Sequence, residues 1–472
     1  MNNSLTLVDK IWYDHVIMNL DKDIDLMFID RNFQHEMSGS VSLKCIQNAK
    51  RKIRNINLSF GTLDHVLDTR QGRTDATMIP GGTEFIREFR ALTKSYGIPL
   101  FDIDDPDQGI VHVIAPDLGI ALPGCTFACG DSHTCTVGGI GALAWGIGAT
   151  DAEHVFATQS LVQVKPKNMR VTFKGTRGKG VSAKDLILYL ISKAGADAGI
   201  DHAVEYAGPV IESLTIDERL TMCNMAIEFS ARTGIVAPDD VTFNYLHDKP
   251  YAPKGKVWDD AVAYWRTLPS DPEAKFDKEL YYDCVNVRPQ VTWGTSPTHS
   301  VAVDDVVPDP IKAPDSAIRL TMQRALDYIG LTPGTRMEDI KIDAAFIGSC
   351  TNGRLSDLRE AARILKGRKV APGIKAICSP GSTKTKRIAE SEGISKIFQE
   401  AGFEWREPGC SFCMSGGAGG EGFEYGQRVL STTNRNFEDR QGRGVRSHLA
   451  SPATVAASAI LGHITDPRKF GE

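Results

Sequence analysis

The sequence predicts an α/β protein in which the strands of a mainly parallel sheet alternate with helices. Strand, turn and helix signals repeat between residues 342 and 405, and two cysteine motifs follow predicted strands. An apolar content of 42% is enough for large buried cores. At 472 residues the chain exceeds one ordinary domain, and its length predicts about three.

The predicted elements between 342 and 405 follow one another closely. The apolar strand 342–347 ends at Gly348, and helical apolar spacing over 355–365 stops at Gly367. Sites in parallel sheets gather at the carboxyl ends of strands, so we expect a site in this region. The next predicted elements are a strand at 374–378, helices at 385–392 and 394–401, and a strand at 403–405.

Changes of composition predict two domain boundaries. Near residue 165 a glycine-rich segment gives way to a charged strand, and the proline-rich stretch 295–314 is typical of a linker. We therefore expect three domains, at 1–165, 166–312 and 313–472.

Composition and charge exclude several classes of protein. A net charge of −5 gives no electrostatic reason to expect a nucleic-acid partner. Ten cysteines are too few for a secreted disulfide scaffold and suit a reducing compartment. The N-terminus has no signal-peptide core, and no run approaches the ~20 apolar residues of a membrane span. We expect a cytoplasmic protein that binds neither membranes nor nucleic acid.

Three cysteines form a candidate metal centre. Cys350 lies in a Gly-Ser-Cys-Thr-Asn turn, and Cys410 and Cys413 form a Cys-x-x-Cys motif. Structural zinc and electron-transfer clusters take four ligands, so three thiolates on a [4Fe–4S] cluster would leave one iron open as a Lewis acid. Taken singly, Cys350 is most often a buried apolar residue and Cys-x-x-Cys a redox-active turn. Three further cysteines match no cluster signature, and we expect them in the core or lining the site: Cys125, Cys129 and Cys135.

Three histidines stand beside acids or small residues. They occur in Asp64-His65, in an apolar stretch at His112, and two residues after Asp131 at His133. A carboxylate near an imidazole raises its basicity and fixes its tautomer, as proton transfer requires. A single buried histidine usually only satisfies hydrogen bonds, but three in such surroundings favour acid–base chemistry.

The glycine series 138–144 formally matches a relaxed dinucleotide-binding pattern. The residues before it are polar rather than an apolar strand, and no acid follows a second strand at the required distance. Close packing of a helix against a site loop explains the glycines better.

An arginine-rich stretch at 433–444 follows the cysteine pair. Arginine forks bind carboxylates with two hydrogen bonds, and glycines allow the backbone to approach a small ligand. A charged surface loop explains the local sequence equally well, and only its position favours binding.

Taken in order, these motifs resemble the aconitase family. The shared motifs are Asp-His, Gly-Asp-Ser-His-Thr, Gly-Ser-Cys-Thr-Asn, Cys-x-x-Cys and Asn-Arg-Asn-Phe, and the tracts 222–228 and 291–295 are similar too. Within the family, the chain is most similar to large subunits of 3-isopropylmalate dehydratases. The resemblance implies a three-domain α/β/α body around a central [4Fe–4S] cluster, without the swivel domain that ends aconitases.

The resemblance also implies a reaction and its residues. Cys350, Cys410 and Cys413 would hold the cluster, and water would leave and return through a cis-alkene as 2-isopropylmalate and 3-isopropylmalate interconvert in leucine biosynthesis. The implied acid–base residues are His65 with Asp64, which protonate the leaving hydroxyl, and His112 with Asp131, and His133, which position water and substrate. The other implied site residues are Glu205, near the open iron, and Ser132, Asn434, Arg435 and Arg440, which bind substrate.

The same resemblance implies a partner. Aconitases carry the serine that removes the carbon-bound proton on the swivel domain. We therefore expect a separate small subunit that supplies this serine and part of the side-chain pocket.

Three departures from the family pattern leave the substrate open. A glycine-rich segment occupies 415–422, Asp439 stands where glycine commonly precedes the second arginine, and Val66 stands where asparagine is usual. A related hydratase acting on another alkylmalate, citraconate or dimethylmaleate is the alternative. Alternatives of a different class are an RNA-binding protein, which would need a basic cleft, and an electron-transfer protein, which would need a fourth thiolate.

Overall fold

The computed structural model describes residues 4–471 and shows a mixed α/β chain with several parallel sheets, which confirms the predicted class. These residues divide into two compact units, each assembled from three segments of the chain. The predicted division into three domains stays a prediction. Unit 1 comprises 4–64, Glu84–Thr176 and Asp197–Asp283, and unit 2 comprises His65–Thr83, Arg177–Ala196 and 284–471.

The strands of the described residues are mostly short, and twelve of them, β1 to β12, belong to unit 1. In chain order they are β1 Val16–Asp21, β2 Ile24–Phe28, β3 Arg31–His35, β4 Ser59–Thr62, β5 Leu100–Phe101, β6 Thr126–Cys129, β7 Leu143–Gly146, β8 Ser160–Val164, β9 Lys167–Lys174, β10 His202–Ala207, β11 Thr233–Val236, β12 Lys278–Asp283, β13 Gln290–Thr292, β14 Ser300–Ala302, β15 Ala344–Gly348, β16 Lys375–Ser379, β17 Phe403–Trp405, β18 Arg428–Ser431 and β19 Arg446–Leu449.

Several helices begin after a side chain that accepts a backbone N–H of the first turn, as Thr6, Ser182 and Thr215 do. In chain order the α-helices are α1 Leu7–His15, α2 Glu36–Asn48, α3 Gly82–Tyr96, α4 Val111–Asp117, α5 Ala149–Thr158, α6 Ala183–Ala194, α7 Pro209–Glu212, α8 Ile216–Asn224, α9 Asp240–Leu246, α10 Lys256–Trp265, α11 Ser316–Ile329, α12 Ser349–Asn352, α13 Leu355–Leu365, α14 Thr383–Ser391, α15 Ile394–Ala401 and α16 Pro452–Leu461.

Unit 1 contains two parallel sheets, with strand orders β5-β4-β3-β6-β7 and β11-β10-β9-β12, and an antiparallel sheet β1-β2-β8. Phe33 of β3 packs against Phe60, Phe101 and Phe127 of the other strands at centroid distances of 5.8, 5.9 and 6.4 Å. One buried aromatic face therefore holds four strands in register and leaves their carboxyl ends at one edge of the sheet.

Unit 2 is built on the parallel sheet β17-β16-β15-β18-β19. Its core includes Leu358 of α13, Phe398 of α15 and Val455 of α16, packed with strand residues such as Ile347. The predicted helices 355–365 and 394–401 and the strand 403–405 have the predicted bounds. Cys350 comes directly after β15, at the strand end where the sequence predicts a site.

The predicted linker differs from expectation in one part. Within 295–314, Ser300–Ala302 forms β14 and pairs antiparallel with β13. Proline spacing alone does not reveal this short ladder, because its partner strand lies outside the proline-rich stretch. Among residues 4–471, none of the helices combines the length and the apolar character needed to cross a membrane.

Candidate active site

In unit 1, Asp64 follows β4 and connects two neighbouring elements. Its backbone N–H donates to Glu36 Oε2 at 3.1 Å, and its own Oδ2 accepts the N–H of Val111 at 3.0 Å. Val111 is the first residue of α4, where a carboxylate complements the positive end of the helix dipole. Asp64 therefore fixes the start of the helix that carries His112.

His112 and His133 both contact Asp131, which follows β6. The Nε2 atom of His112 lies 3.1 Å from Asp131 Oδ1, and the same oxygen accepts the backbone N–H of His133 at 2.6 Å. Both histidines are buried, whereas Asp131 is half-buried. The structure thus brings together three residues that the sequence predicts as catalytic.

Glu228 extends this contact series and was missed by the sequence reasoning. Its Oε1 lies 2.7 Å from His133 Nε2, although the two residues are 95 positions apart. The available signal was its place in the tract 222–228, which carries part of the family resemblance without indicating a role. We refer below to His112, Asp131, His133 and Glu228 as the histidine–carboxylate chain.

The predicted substrate residue Ser132 is exposed and lies next to Asp131. Both line a groove of about 490 Å³ in unit 1, together with Trp145 and Ile227. The groove gives solvent and small molecules access to Asp131, the half-buried member of the histidine–carboxylate chain.

Glycines hold the helix that carries His133 against its neighbours. In the 3₁₀ helix Ser132–Ile140, a Cβ at Gly138 would lie 1.8 Å from the carbonyl oxygen of Gly234 in β11. A Cβ at Gly139 would lie 2.6 Å from the backbone nitrogen of Leu220 in α8. The predicted close helix packing is confirmed, and its partners are a strand and a helix.

Glu205 has different surroundings from the other predicted catalytic residues. It is buried in β10, where Oε1 pairs with Arg170 Nη2 at 2.8 Å and Oε2 accepts from Ser270 Oγ at 2.5 Å. The Arg170 guanidinium in turn stacks on the ring of Phe276. These contacts explain why a carboxylate is buried here, and the predicted role of Glu205 in the reaction stays a prediction.

In unit 2, the three predicted thiol ligands are buried, each with 6% of its surface exposed. Asn434 lies between two of them: its Nδ2 is 3.4 Å from Cys350 Sγ, and its Oδ1 is 3.5 Å from Cys413 Sγ. Cys410 and Cys413 stand at the two ends of a single turn. Soft thiol ligands of this kind suit an iron–sulfur cluster, so the residues fit the predicted group.

Other buried cysteines lie in less reactive surroundings. Burial raises the pKa of the Cys125 thiol to about 12 and holds the pKa values of Cys223 and Cys378 well above the usual thiol value. Protonated, buried thiols behave as small apolar side chains. This supports the core interpretation for Cys125.

The arginine-rich stretch places Arg440 near the thiols. Its Nη2 is 4.0 Å from Cys413 Sγ, and its guanidinium lies over the ring of Phe437 at 5.4 Å from the centroid. Within the described part of the chain, the buried Nε of Arg440 has no hydrogen-bond partner. Arg435 is half-buried in the same stretch. A carboxylate ligand would supply the acceptor that Arg440 lacks.

Asp439 does not direct its charge at Arg440. Its backbone is left-handed, with φ of 63°, a region that glycine and aspartate tolerate better than most residues. Its Oδ1 accepts the N–H of Gly444 at 2.7 Å and the hydroxyl of Tyr328 at 3.2 Å. The departure from glycine is therefore compatible with the turn and stabilises it.

The glycine-rich segment 415–422 packs closely against the arginine-rich stretch. A Cβ at Gly416 would lie 2.4 Å from the carbonyl carbon of Gln441, and Gly417 donates its N–H to the carbonyl of Arg440 at 3.1 Å. Glu421 closes the segment by pairing with Arg406. The glycines thus allow two backbone segments to touch beside Arg440.

Three buried thiols, a bridging amide and a chain of acid–base groups on α/β sheets are typical of enzymes that combine proton transfer with a thiol-held metal group. A family model described as the aconitase family (aconitate hydratase) matches residues 9–462, and the chain belongs to this family. It is similar to 3-isopropylmalate dehydratase large subunit 1 of Bradyrhizobium diazoefficiens, with 52% identity over 463 residues that cover 98% of this chain and 96% of that protein. The predicted family resemblance and the hydro-lyase class are confirmed.

Proposed function

We propose that this chain is the large catalytic subunit of a cytoplasmic isomerase of leucine biosynthesis, interconverting 2-isopropylmalate and 3-isopropylmalate through a cis-alkene. The observation that carries the proposal is the 52% identity over 98% of the chain to a 3-isopropylmalate dehydratase large subunit. The buried thiols beside Asn434 support it, because the reaction class needs its metal ligands to be shielded from bulk water.

Cys350, Cys410 and Cys413 would hold a [4Fe–4S] cluster. Three protein thiolates would leave one iron without a protein ligand, and that iron would supply Lewis-acid chemistry for the departure of hydroxide. Asn434 keeps two of the sulfurs at fixed separations from its amide, as the contacts at 3.4 and 3.5 Å indicate. Arg440 Nη2 lies 4.0 Å from Cys413 Sγ, so a guanidinium group stands beside one of the proposed ligands.

The histidine–carboxylate chain would move the protons. Asp131 shares one oxygen between His112 and the backbone of His133, so it orients one imidazole and anchors the other. Glu228 Oε1 lies 2.7 Å from His133 Nε2 and orients the imidazole ring. We assign the catalytic carboxylate to Glu228 in preference to Glu205, whose two oxygens are engaged by Arg170 and Ser270. Asp64 and His65 would protonate the leaving hydroxyl.

Substrate carboxylates would bind the arginine-rich stretch. Arg435 and Arg440 offer guanidinium groups that can donate two parallel hydrogen bonds. A substrate carboxylate would accept a hydrogen bond from the buried Nε of Arg440. Ser132 and Asn434 supply further polar contacts. The alkyl group would be selected largely by the partner subunit.

The partner would be a separate small subunit that carries the swivel domain and the serine that removes the carbon-bound proton. The Bradyrhizobium diazoefficiens relative is named a large subunit, which supports this inference. Neither membranes nor nucleic acid are required by the proposed reaction.

Anaerobic reconstitution with iron and sulfide, followed by mixing with a candidate small subunit, tests the proposal. We expect alkene absorbance to develop with 2-isopropylmalate and not with citramalate, and no absorbance to develop with the large chain alone. Turnover of citramalate, or hydration of citraconate or dimethylmaleate, in preference to isopropylmalate would contradict the substrate assignment. High activity without a partner would contradict the subunit assignment.

A further inference from the structure

Lys184 is a lysine with no exposed surface, at the second position of α6 in unit 2. Its Nζ donates to two successive carbonyl oxygens, Thr432 O at 3.0 Å and Thr433 O at 2.6 Å. These carbonyls immediately precede Asn434, whose amide contacts Cys350 and Cys413. The buried Nζ of Lys184 thus holds the backbone that directly precedes Asn434.

The position is unfavourable for a lysine on general grounds. Burial of an ammonium group is costly unless it is paired, and the first turn of a helix disfavours positive charge. The neighbouring Asp185 accepts hydrogen bonds from the N–H of Gln290 and from Ser182, each at 2.7 Å. The two hydrogen bonds from Lys184 to Thr432 and Thr433 are contacts that an apolar side chain of similar size could not make.

Thr432 connects the backbone held by Lys184 to the strand end that precedes Cys350. Its backbone N–H donates to Phe346 O at 3.0 Å. Its Oγ1 accepts the N–H of Gly348 at 2.9 Å and donates to Gly348 O at 3.0 Å. Gly348 stands two residues before Cys350. The segment held by Lys184 is therefore tied both to the strand end that presents Cys350 and to Asn434.

We propose that Lys184 is a positioning residue of the thiol site, which holds the carbonyls of Thr432 and Thr433 so that Asn434 stays between Cys350 and Cys413. In the loaded protein it keeps the cluster in place and adds a buried positive charge to its surroundings. The inference rests on the proposed function only in that the three thiols hold a cluster.

The test compares Lys184→Met and Lys184→Gln with Lys193→Met, which removes an exposed lysine from the end of the same helix. Each variant is loaded anaerobically, and iron loss to a chelator and the EPR spectrum of the reduced protein are followed. Partners that orient metal ligands typically contribute 10–100-fold to metal affinity. We therefore expect Lys184→Met to lose iron about 10-fold faster with an altered spectrum, Lys184→Gln to be intermediate, and Lys193→Met to match the original protein.

Equal iron retention and identical spectra in Lys184→Met and Lys193→Met would overturn the proposal. Insolubility of both Lys184 variants would also count against it, because the lysine would then serve folding in general. These readouts need no substrate. A chain that retains its cluster but does not act on isopropylmalate would contradict the proposed function and leave the role of Lys184 standing, and a chain that takes up no cluster would contradict both.

Discussion

The two units hold their functional side chains in different ways. In unit 1, the histidine–carboxylate chain consists of titratable groups that contact one another, with Asp131 between His112 and His133 and Glu228 at its end. In unit 2, Cys350 and Cys413 contact the neutral amide of Asn434, which follows backbone carbonyls held by Lys184. Loss of one member in unit 1 removes a side-chain contact from its neighbours, whereas loss of one member in unit 2 changes the position of the others.

Removal of a thiol should produce the largest effect, and it should disrupt the thiol site of unit 2 without changing the histidine–carboxylate chain of unit 1. Cys413→Ala is expected to abolish cluster retention and to lower turnover by more than the ~100-fold attributed to partners of metal ligands. Iron content, visible absorbance and alkene formation measure this. The control is Cys45→Ala, because Cys45 is exposed. Full iron content in Cys413→Ala would remove that residue from the ligand set.

Neutralising the centre of the histidine–carboxylate chain should stop chemistry while leaving the thiol site loaded. Asp131→Asn replaces the carboxylate that His112 and His133 share by a neutral amide, and a fall in kcat of about 10²–10⁴ is expected for loss of acid–base assistance. Asp151→Asn changes an exposed acid of the same groove and should leave kcat unchanged. Loss of iron in Asp131→Asn would contradict this prediction, because it would show that the histidine–carboxylate chain also affects cluster retention at the thiols.

Two carboxylates of unit 1, Glu228 and Glu205, are expected to have different roles. Glu228→Gln should lower kcat about 100-fold, because His133 Nε2 loses its carboxylate partner. Glu205→Gln should instead lower the free energy of unfolding by about 2 kcal/mol through its contact with Arg170. Kinetics and chemical unfolding of both variants separate these roles, and the reverse pattern would restore Glu205 as the catalytic carboxylate.

The smallest expected effect is a pH dependence of the stability of unit 1 away from the site. Burial alone would lower the pKa of His15, but its hydrogen bond to Asp30 and the charge of Asp30 raise the pKa above its usual value of 6.5. A raised pKa in the folded state gives stability that is complete below pH 6.5 and is lost as pH rises through the folded value.

Chemical unfolding between about pH 6 and pH 8 measures this contribution. The free energy of unfolding should fall by about 1 kcal/mol more in the original protein than in His15→Gln. His154→Gln, which changes an exposed histidine, should keep the original slope. Equal slopes for His15→Gln and the original protein would show that the pair does not titrate as described.

Local patterns predicted unit 2 well. The helices 355–365 and 394–401 have the predicted bounds because their apolar residues recur at helical spacing and glycines mark their ends. Cys350 was expected at the carboxyl end of a strand and lies there, because the apolar run before it ends at Gly348.

Long-range pairing explains what the sequence did not reveal. The partner of His133 lies 95 residues away, so no local spacing points to Glu228. β8 pairs with β2 from a distant part of the chain, and unit 1 resumes after unit 2 segments at Glu84 and Asp197. The short strand β14 was hidden among prolines. Contacts of this kind depend on which distant surfaces meet, and a single sequence does not record that.

Gly138 and Gly139 have a consequence for how this enzyme can change over time. Backbone atoms of β11 and α8 meet the 3₁₀ helix directly, so the spacing there does not depend on the size of any side chain. Substitutions that repack the surrounding core can therefore accumulate without displacing His133, which lies on the same short helix. Substitutions among the apolar residues of unit 1 can in this way leave the positions of the proposed proton-transfer groups around His133 unchanged.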